Sequence, residues 1–174
     1  MYKAVMLIAT LLLTSCSRVD VASYANETPR LDLREYFAGH VKAWGMFQER
    51  KEQVVKRFTV DINGTVKGDT LTLDEDFLYS DGTTQKRIWT LTAGSDGRWR
   101  GTAADVVGTA EGRVVGNSLH WQYVLRLPVD DSEYDMHMDD WMYLIDQDTL
   151  VNRTTMSKFG VEFGEVTLFF RKAR

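Results

Sequence analysis

Cysteine is almost absent from this chain, and the single one, Cys16, stands at the end of its longest apolar run. One cysteine cannot close a disulfide within the chain, so the fold has to hold by packing alone. Proline occurs twice, at Pro29 and Pro128, and histidine three times, at His40, His120 and His137. No serine sits in a Gly-x-Ser-x-Gly elbow, which removes the simplest sequence sign of a hydrolase. There is no basic tract, and the net charge is -4, which argues against nucleic acid and against binding anionic lipid by charge. No apolar run approaches the ~20 residues needed to span a bilayer as a helix. Neither an internal repeat nor a low-complexity segment interrupts the chain. Beyond Ala38, no stretch of useful length has a helical period.

What is present begins at the amino terminus. Lys3 supplies one positive charge, and residues 4–13 are almost wholly apolar, the layout of a secretory signal. The run ends in Leu13-Thr14-Ser15-Cys16, which matches the lipobox of bacterial lipoproteins in all four positions. An ordinary secretory signal cut nearby, or an uncleaved amphipathic start, are the competing readings. On the lipobox reading, residues 1–15 are removed and Cys16 becomes the acylated first residue, a membrane anchor made firm by more than one chain. Loss of Lys3 makes the net charge one unit more negative. Ser17 follows where an aspartate favours inner-membrane retention, so the expected location is the outer membrane, facing the periplasm. Residues 16–30 are polar and mixed and read as a lipidated tether. Residues 31–174 are long enough for one domain with a real core.

Within that domain, Asp32 and Glu35 have the spacing of a capping box for one short helix over residues 33–37, stopped by Gly39. Strand follows strand thereafter. Residues 41–49 carry Trp44 and Phe47. Residues 54–62 alternate and lead to Asn63-Gly64, a hairpin signal. Leu71, Leu73, Phe77 and Tyr79 alternate with Thr70, Thr72, Asp74 and Asp76 before Asp81-Gly82 turns the chain. Further strands are expected at 86–92, 98–103, 108–115 and 118–127, the last with Leu119, Trp121, Tyr123, Leu125 and Leu127 on one face and closed by Pro128. An acidic loop at 129–140 then precedes strands at 141–145, 151–159 and 165–171. The expected fold is all-β. It is an antiparallel up-and-down, lipocalin-like barrel of about eight to ten strands with a short N-terminal helix, since closure removes exposed edges where a sandwich would not.

Chemistry-bearing candidates are few. His120 lies on the polar side of its strand with Gln122 and Arg126. In a barrel that side is either outside, giving a solvated histidine, the favoured reading, or inside, giving a ligand-facing one. The acidic loop holds six carboxylates and His137 but lacks the ligand spacing and central glycine of a calcium loop, so no metal and no cofactor is expected. Met136, Met138, Trp141, Met142 and Tyr143 form either core or an adaptable mouth for an apolar ligand. The aromatic residues Trp44, Trp89, Trp121, Tyr123, Trp141 and Tyr143 are the candidate ligand-binding set.

Several short motifs occur in order: Phe37-Ala38-Gly39, Ala43-Trp44-Gly45-Met46-Phe47, Arg57-Phe58, Glu75-Asp76-Phe77 and Tyr79-Ser80-Asp81-Gly82. Arg87-Ile88-Trp89, Ala104-Asp105-Val106-Val107-Gly108, Asp139-Asp140-Trp141-Met142-Tyr143-Leu144 and Met156-Ser157-Lys158-Phe159-Gly160 follow. Together they resemble a family of small Gram-negative lipoproteins of uncharacterised function, lipocalin-like in fold. The resemblance runs from about Leu33 to Arg171 and carries no assigned catalytic residue. It implies a place near enzymes that modify membrane lipids, beside which such members are often encoded. Lipocalins themselves place Gly-x-Trp in the first strand under an arginine from the last. Here Lys42 stands where the glycine belongs, with Trp44 and Arg171 left to make the contact.

Three functions are therefore expected, in this order. The first is an envelope lipoprotein that binds or carries an apolar molecule such as a fatty acid or a modified lipid. The second is a packed structural or docking protein with an exposed apolar patch. The third is an enzyme on a modified lipid, which requires at least two of His120, His137 and Arg126 in one cavity.

Overall fold

The computed structural model describes residues 19–129 and 131–173. Cys16 and the rest of the expected signal lie outside them, as does Asp130. A 3-10 turn at Val21–Tyr24 comes first, followed by α1 (Leu33–Phe37). The strands are β1 (Gly39–Glu49), β2 (Val54–Lys67), β3 (Thr70–Tyr79), β4 (Thr84–Ala93), β5 (Arg98–Thr102), β6 (Ala110–Val115), β7 (Ser118–Val129), β8 (Ser132–Leu144), β9 (Thr149–Lys158) and β10 (Val161–Lys172). Each strand pairs with its sequence neighbour, and β1 pairs with β10, closing an antiparallel barrel. The expected meander is the fold.

Alternation decides which side chains face inward. Along β3, Leu71, Leu73, Glu75, Phe77 and Tyr79 take the inner phase; along β7, Leu119, Trp121, Tyr123 and Leu125 do. Connections alternate between two ends. Turns at 68–69, 94–97, 116–117 and 145–148 share one end with α1. Those at 50–53, 80–83, 103–109 and 159–160 share the other, as does the passage from β7 to β8.

At the first end α1 closes the barrel. Asp32 accepts hydrogen bonds from the backbone N–H groups of Arg34 and Glu35, capping the helix as its sequence requires. Leu33, Tyr36 and Phe37 are buried, and Phe37 meets Phe170 edge-on with ring centroids 5.9 Å apart. Val41, Ile62, Leu71 and Leu150 pack there with essentially no exposure. This end is solid.

Several boundaries differ from expectation, each for a physical reason. Asn63-Gly64 is no hairpin: β2 runs on to Lys67, and Gly68 (φ +60°) makes the turn. Gly64 serves a close approach instead, because a Cβ there would lie 1.7 Å from the Phe37 carbonyl oxygen. The acidic stretch is no loop. It is the outer half of β8, paired in register with β7 from Val129↔Ser132 to Ser118↔Tyr143. Its charge density hides a clean alternation: Met136, Met138 and Asp140 are buried, while Glu133, Asp135 and His137 are exposed. Pro128 lies within β7 rather than ending it, near the strand's edge with the mouth.

Residues 19–30, expected to belong to the tether, lie on the barrel wall. Val21 is buried, Tyr24 packs against Trp141 and Tyr143 at 6.0 and 5.5 Å, and the Leu31 N–H donates to the Gly116 carbonyl at 2.8 Å. Among the described residues no helix is long and apolar enough to cross a membrane.

Candidate functional site

Away from α1 the barrel is hollow. A cavity of about 730 Å³ runs from Leu33 and Phe37 at its floor to Lys56, Thr84, Gln85 and Val129 near the open end. Its wall is largely aromatic and aliphatic, with Phe47, Phe58, Phe77, Trp89, Trp121, Leu125, Met138 and Leu168 among its members. Phe58 and Phe77 approach at 5.9 Å, and Trp89 meets Tyr123 edge-on at 5.4 Å. Such offset and edge contacts hold aromatic walls in place without collapsing the space between them.

Besides Lys56 near the mouth, three charged side chains enter this apolar wall at depth. Glu75 on β3 and Arg87 on β4 are direct cross-strand partners, and Asp140 comes from β8. Arg87 does not pair with the glutamate opposite it. Its Nε donates to both Asp105 oxygens at 3.1 and 2.9 Å, and its Nη2 donates to Oδ2 at 2.7 Å, a bidentate fork. The segment 103–109 delivers Asp105. Because β5 and β6 are short, that segment folds across to β7, where the Arg126 N–H donates to the Asp105 carbonyl and the Val107 N–H to that of Val124.

Glu75 is left 9 % exposed, facing the cavity, with no hydrogen-bond partner among the described residues. Burial pushes its carboxyl up to about 7, against the pull of Arg87 and with help from the charges of Asp105, Asp140 and Asp74. Asp140 accepts from the Asn152 amide, and the nearby hydroxyls of Thr154 and Tyr123 also favour its charged form, yet burial carries it to about 7 as well. Burial also raises the Tyr123 hydroxyl. On Arg87, burial opposes the charge, and the hydrogen bonds to Asp105 together with the charges of Glu75 and Asp105 outweigh it and hold the guanidinium above its ordinary value. The interior thus contains one cation already matched to an anion, and two further carboxyls.

Of the six aromatic candidates, Trp89, Trp121 and Tyr123 line the cavity together. Trp44, Trp141 and Tyr143 do not, because each occupies the opposite strand phase. Trp44 is 44 % exposed, and the ring beside it is Phe169 at 6.3 Å; among the described residues no Arg171 contact covers it. Trp141 stacks on His120 at 4.2 Å, and Tyr143 stacks on Trp141, on the outer wall under Tyr24. His120 also contacts Asp139 at 2.6 Å. His137 is exposed, and Arg126 is bound to Asp135 at 2.9 Å on the outside. His40 is an outer residue beside Asp61. No two of His120, His137 and Arg126 enter the cavity, so the geometry required for an enzyme built on them is missing.

Sequence reasoning passed over Glu75, Arg87 and Asp140, although each breaks a pattern. Glu75 stands in phase with Leu73 and Phe77, Arg87 with Trp89 and Leu91, and Asp140 with Met138 and Met142. A charge in the apolar phase of a strand was the signal.

The family model for the protein of unknown function DUF3833 matches residues 10–172. The chain belongs to that family. No curated protein matches the sequence. Among solved structures, this member of DUF3833 is similar to the S-type phycobiliprotein lyase CPES from Guillardia theta, with a TM-score of 0.55 and 10 % identity over 81 % of this chain and 91 % of that one. It is also similar to a protein of unknown function of the DUF3598 family from Nostoc punctiforme. There the TM-score is 0.58 with 9 % identity, over 84 % of this chain and 51 % of that one, about half its length. At such identities the likeness is one of fold. A lipocalin-like barrel is what the three share.

Among the described residues two apolar surfaces remain on the outside. Trp44, Met46, Leu78 and Phe169 border a shallow groove on the wall. At the open end Phe159, Val161, Phe163, Val54, Val55 and Val129 are all exposed, Phe159 almost completely. The cavity therefore opens through an apolar rim.

Proposed function

We propose that this protein is an envelope lipoprotein, anchored through acylated Cys16 in the outer membrane and facing the periplasm, whose barrel binds or carries an apolar small molecule. The observation that carries the reading is the cavity. Its volume of about 730 Å³ falls in the range of small-molecule sites, ~300–1,000 Å³, and its wall has their mix of apolar surface and a few placed polar groups. Small barrels either fill with side chains or keep room for one ligand, and this one keeps room. The apolar rim supports the same reading, since an apolar molecule passing through it keeps contact with like surface. A barrel of this fold also serves a phycobiliprotein lyase, a likeness compatible with a small-molecule site. The anchor rests on the lipobox.

The groove around Trp44 and Phe169 favours a second reading, a docking protein of the envelope. Native mass spectrometry of the intact protein, released from its own host's membranes in an amphipathic polymer, separates the two. A bound mass that passes into organic solvent supports the carrier. An empty protein that also refuses a fluorescent apolar probe overturns it in favour of docking. For the anchor, Cys16→Ser should abolish incorporation of an alkynyl palmitate and release the protein from the membrane fraction. A wild-type chain that stays unlabelled would overturn the lipidation.

A further inference from the structure

The cavity has a polarity that restricts what can fill it. Its walls accept almost any apolar body, and its charged groups do not accept almost any head. A carboxyl buried against aromatic side chains with no partner costs several kcal/mol when ionised, so such groups are found paired, protonated or facing a ligand. Glu75 is nine-tenths buried and faces the open volume. The cation placed opposite it in the ladder, Arg87, has its guanidinium engaged by Asp105 at 2.7 Å. Asp140 adds a second carboxyl to the same lining.

We propose that the ligand of this cavity has an apolar body and a basic nitrogen, and that its ammonium or other N–H-rich cationic head pairs with Glu75 while the body lies against Trp89, Trp121 and Phe77. The proposal rests on the carrier reading and makes it narrower. It replaces the fatty acid expected from the sequence. A fatty carboxylate at this depth would face two carboxyls, with the one deep cation already matched, and like charges in a poorly hydrated site repel strongly. A cationic head instead supplies the missing partner and draws the Glu75 proton off, so its carboxyl moves down from about 7 on binding. Lys56, the other cation of the lining, sits near the mouth over the Tyr79 ring and beside Asp81 at 3.6 Å. It does not alter the balance at depth.

Three ten-carbon probes of matched shape test this: decylamine, decanol and decanoic acid. They are titrated at pH 7.5 against the intact chain in amphipol, read by quenching of tryptophan fluorescence. Glu75→Gln is measured beside the wild type. The expected order is amine, then alcohol, then acid, with the amine at least tenfold tighter than the acid. Glu75→Gln should weaken the amine about tenfold and leave the alcohol unchanged. The inference falls if the acid binds as tightly as the amine, or if the amine keeps its full advantage in Glu75→Gln; in either case decanol binding would leave the carrier reading intact. If none of the three probes binds the wild type, the carrier reading falls, and this inference with it.

Discussion

The two ends of this barrel are built from the same strands and differ in what the chain puts between them. At the α1 end, Phe37, Val41, Ile62, Leu71, Leu150 and Phe170 meet in a dry, fully buried contact. In the other half, side chains as large face one another across open space. The difference lies in the backbone that enters. At one end Gly64 lets the α1 carbonyls come within reach of the wall, so a helical turn fills the bore. In the other half Glu75, Arg87 and Asp140 project from three strands, and groups that need water, partners or a ligand do not collapse together. One end supplies the stability, and the other gives up some of it to stay open.

Breaking the solid end should have the largest effect. Phe37→Ala removes the ring that contacts Phe170 and opens the floor, and is expected to cost about 3–5 kcal/mol in urea unfolding. A loss under about 1 kcal/mol would show that the helix closes the bore without supporting it.

The hollow half should respond with the opposite sign. The folded pKa of Glu75, about 7, is above its ordinary value near 4.5. Between those values the native state holds a proton that the unfolded chain has lost, so this group's contribution is complete below pH 4.5 and is lost as pH rises through 7. Each pH unit in that window is ~1.4 kcal/mol. Glu75→Gln should therefore be more stable than wild type at pH 8, by about 2–3 kcal/mol, with the gap closing toward pH 4. Arg87, Asp105, Asp140 and Asp74 are the groups whose charges it feels, and all remain in the variant. Equal melting temperatures of the two proteins at pH 8 would mean that Glu75 has a partner in solution.

Smaller changes sharpen the contrast further. Gly64→Ala pushes a Cβ against the Phe37 carbonyl and should cost about 1–3 kcal/mol, displacing α1 and loosening the floor. Asp32→Ala removes the helix cap and should cost about 1 kcal/mol. Neither should alter probe binding in the hollow half by more than about twofold, measured by the same tryptophan quenching, unless the two halves are coupled through the floor.

The strand alternation made the architecture legible in the sequence, because a period of two over ten segments leaves little else to build. Asp32 and Glu35 announced α1 by their spacing alone. What was misread came from local rules that tertiary contacts override. Asn63-Gly64 has hairpin chemistry, and the glycine is spent on a close approach to α1 instead. Residues 129–140 have loop composition, and the alternation of Met136, Met138 and Asp140 against His137 and Asp139 was the stronger fact. Trp44, Trp141 and Tyr143 were grouped with Trp89, Trp121 and Tyr123 by residue type, where parity separates them. The cavity itself was not legible, since whether large inner side chains meet or stand apart depends on strand number and closure.

The chain enters the barrel by a fixed route. Tyr24 is wedged on Trp141 and Tyr143, and the Gly116 turn lies so close to the Tyr24 carbonyl that only a residue without a Cβ fits there. That turn belongs to the end that α1 plugs. The segment that carries Tyr24 is therefore fixed at the plugged base, like the foot of a cup, with the lip around Phe159 at the opposite end.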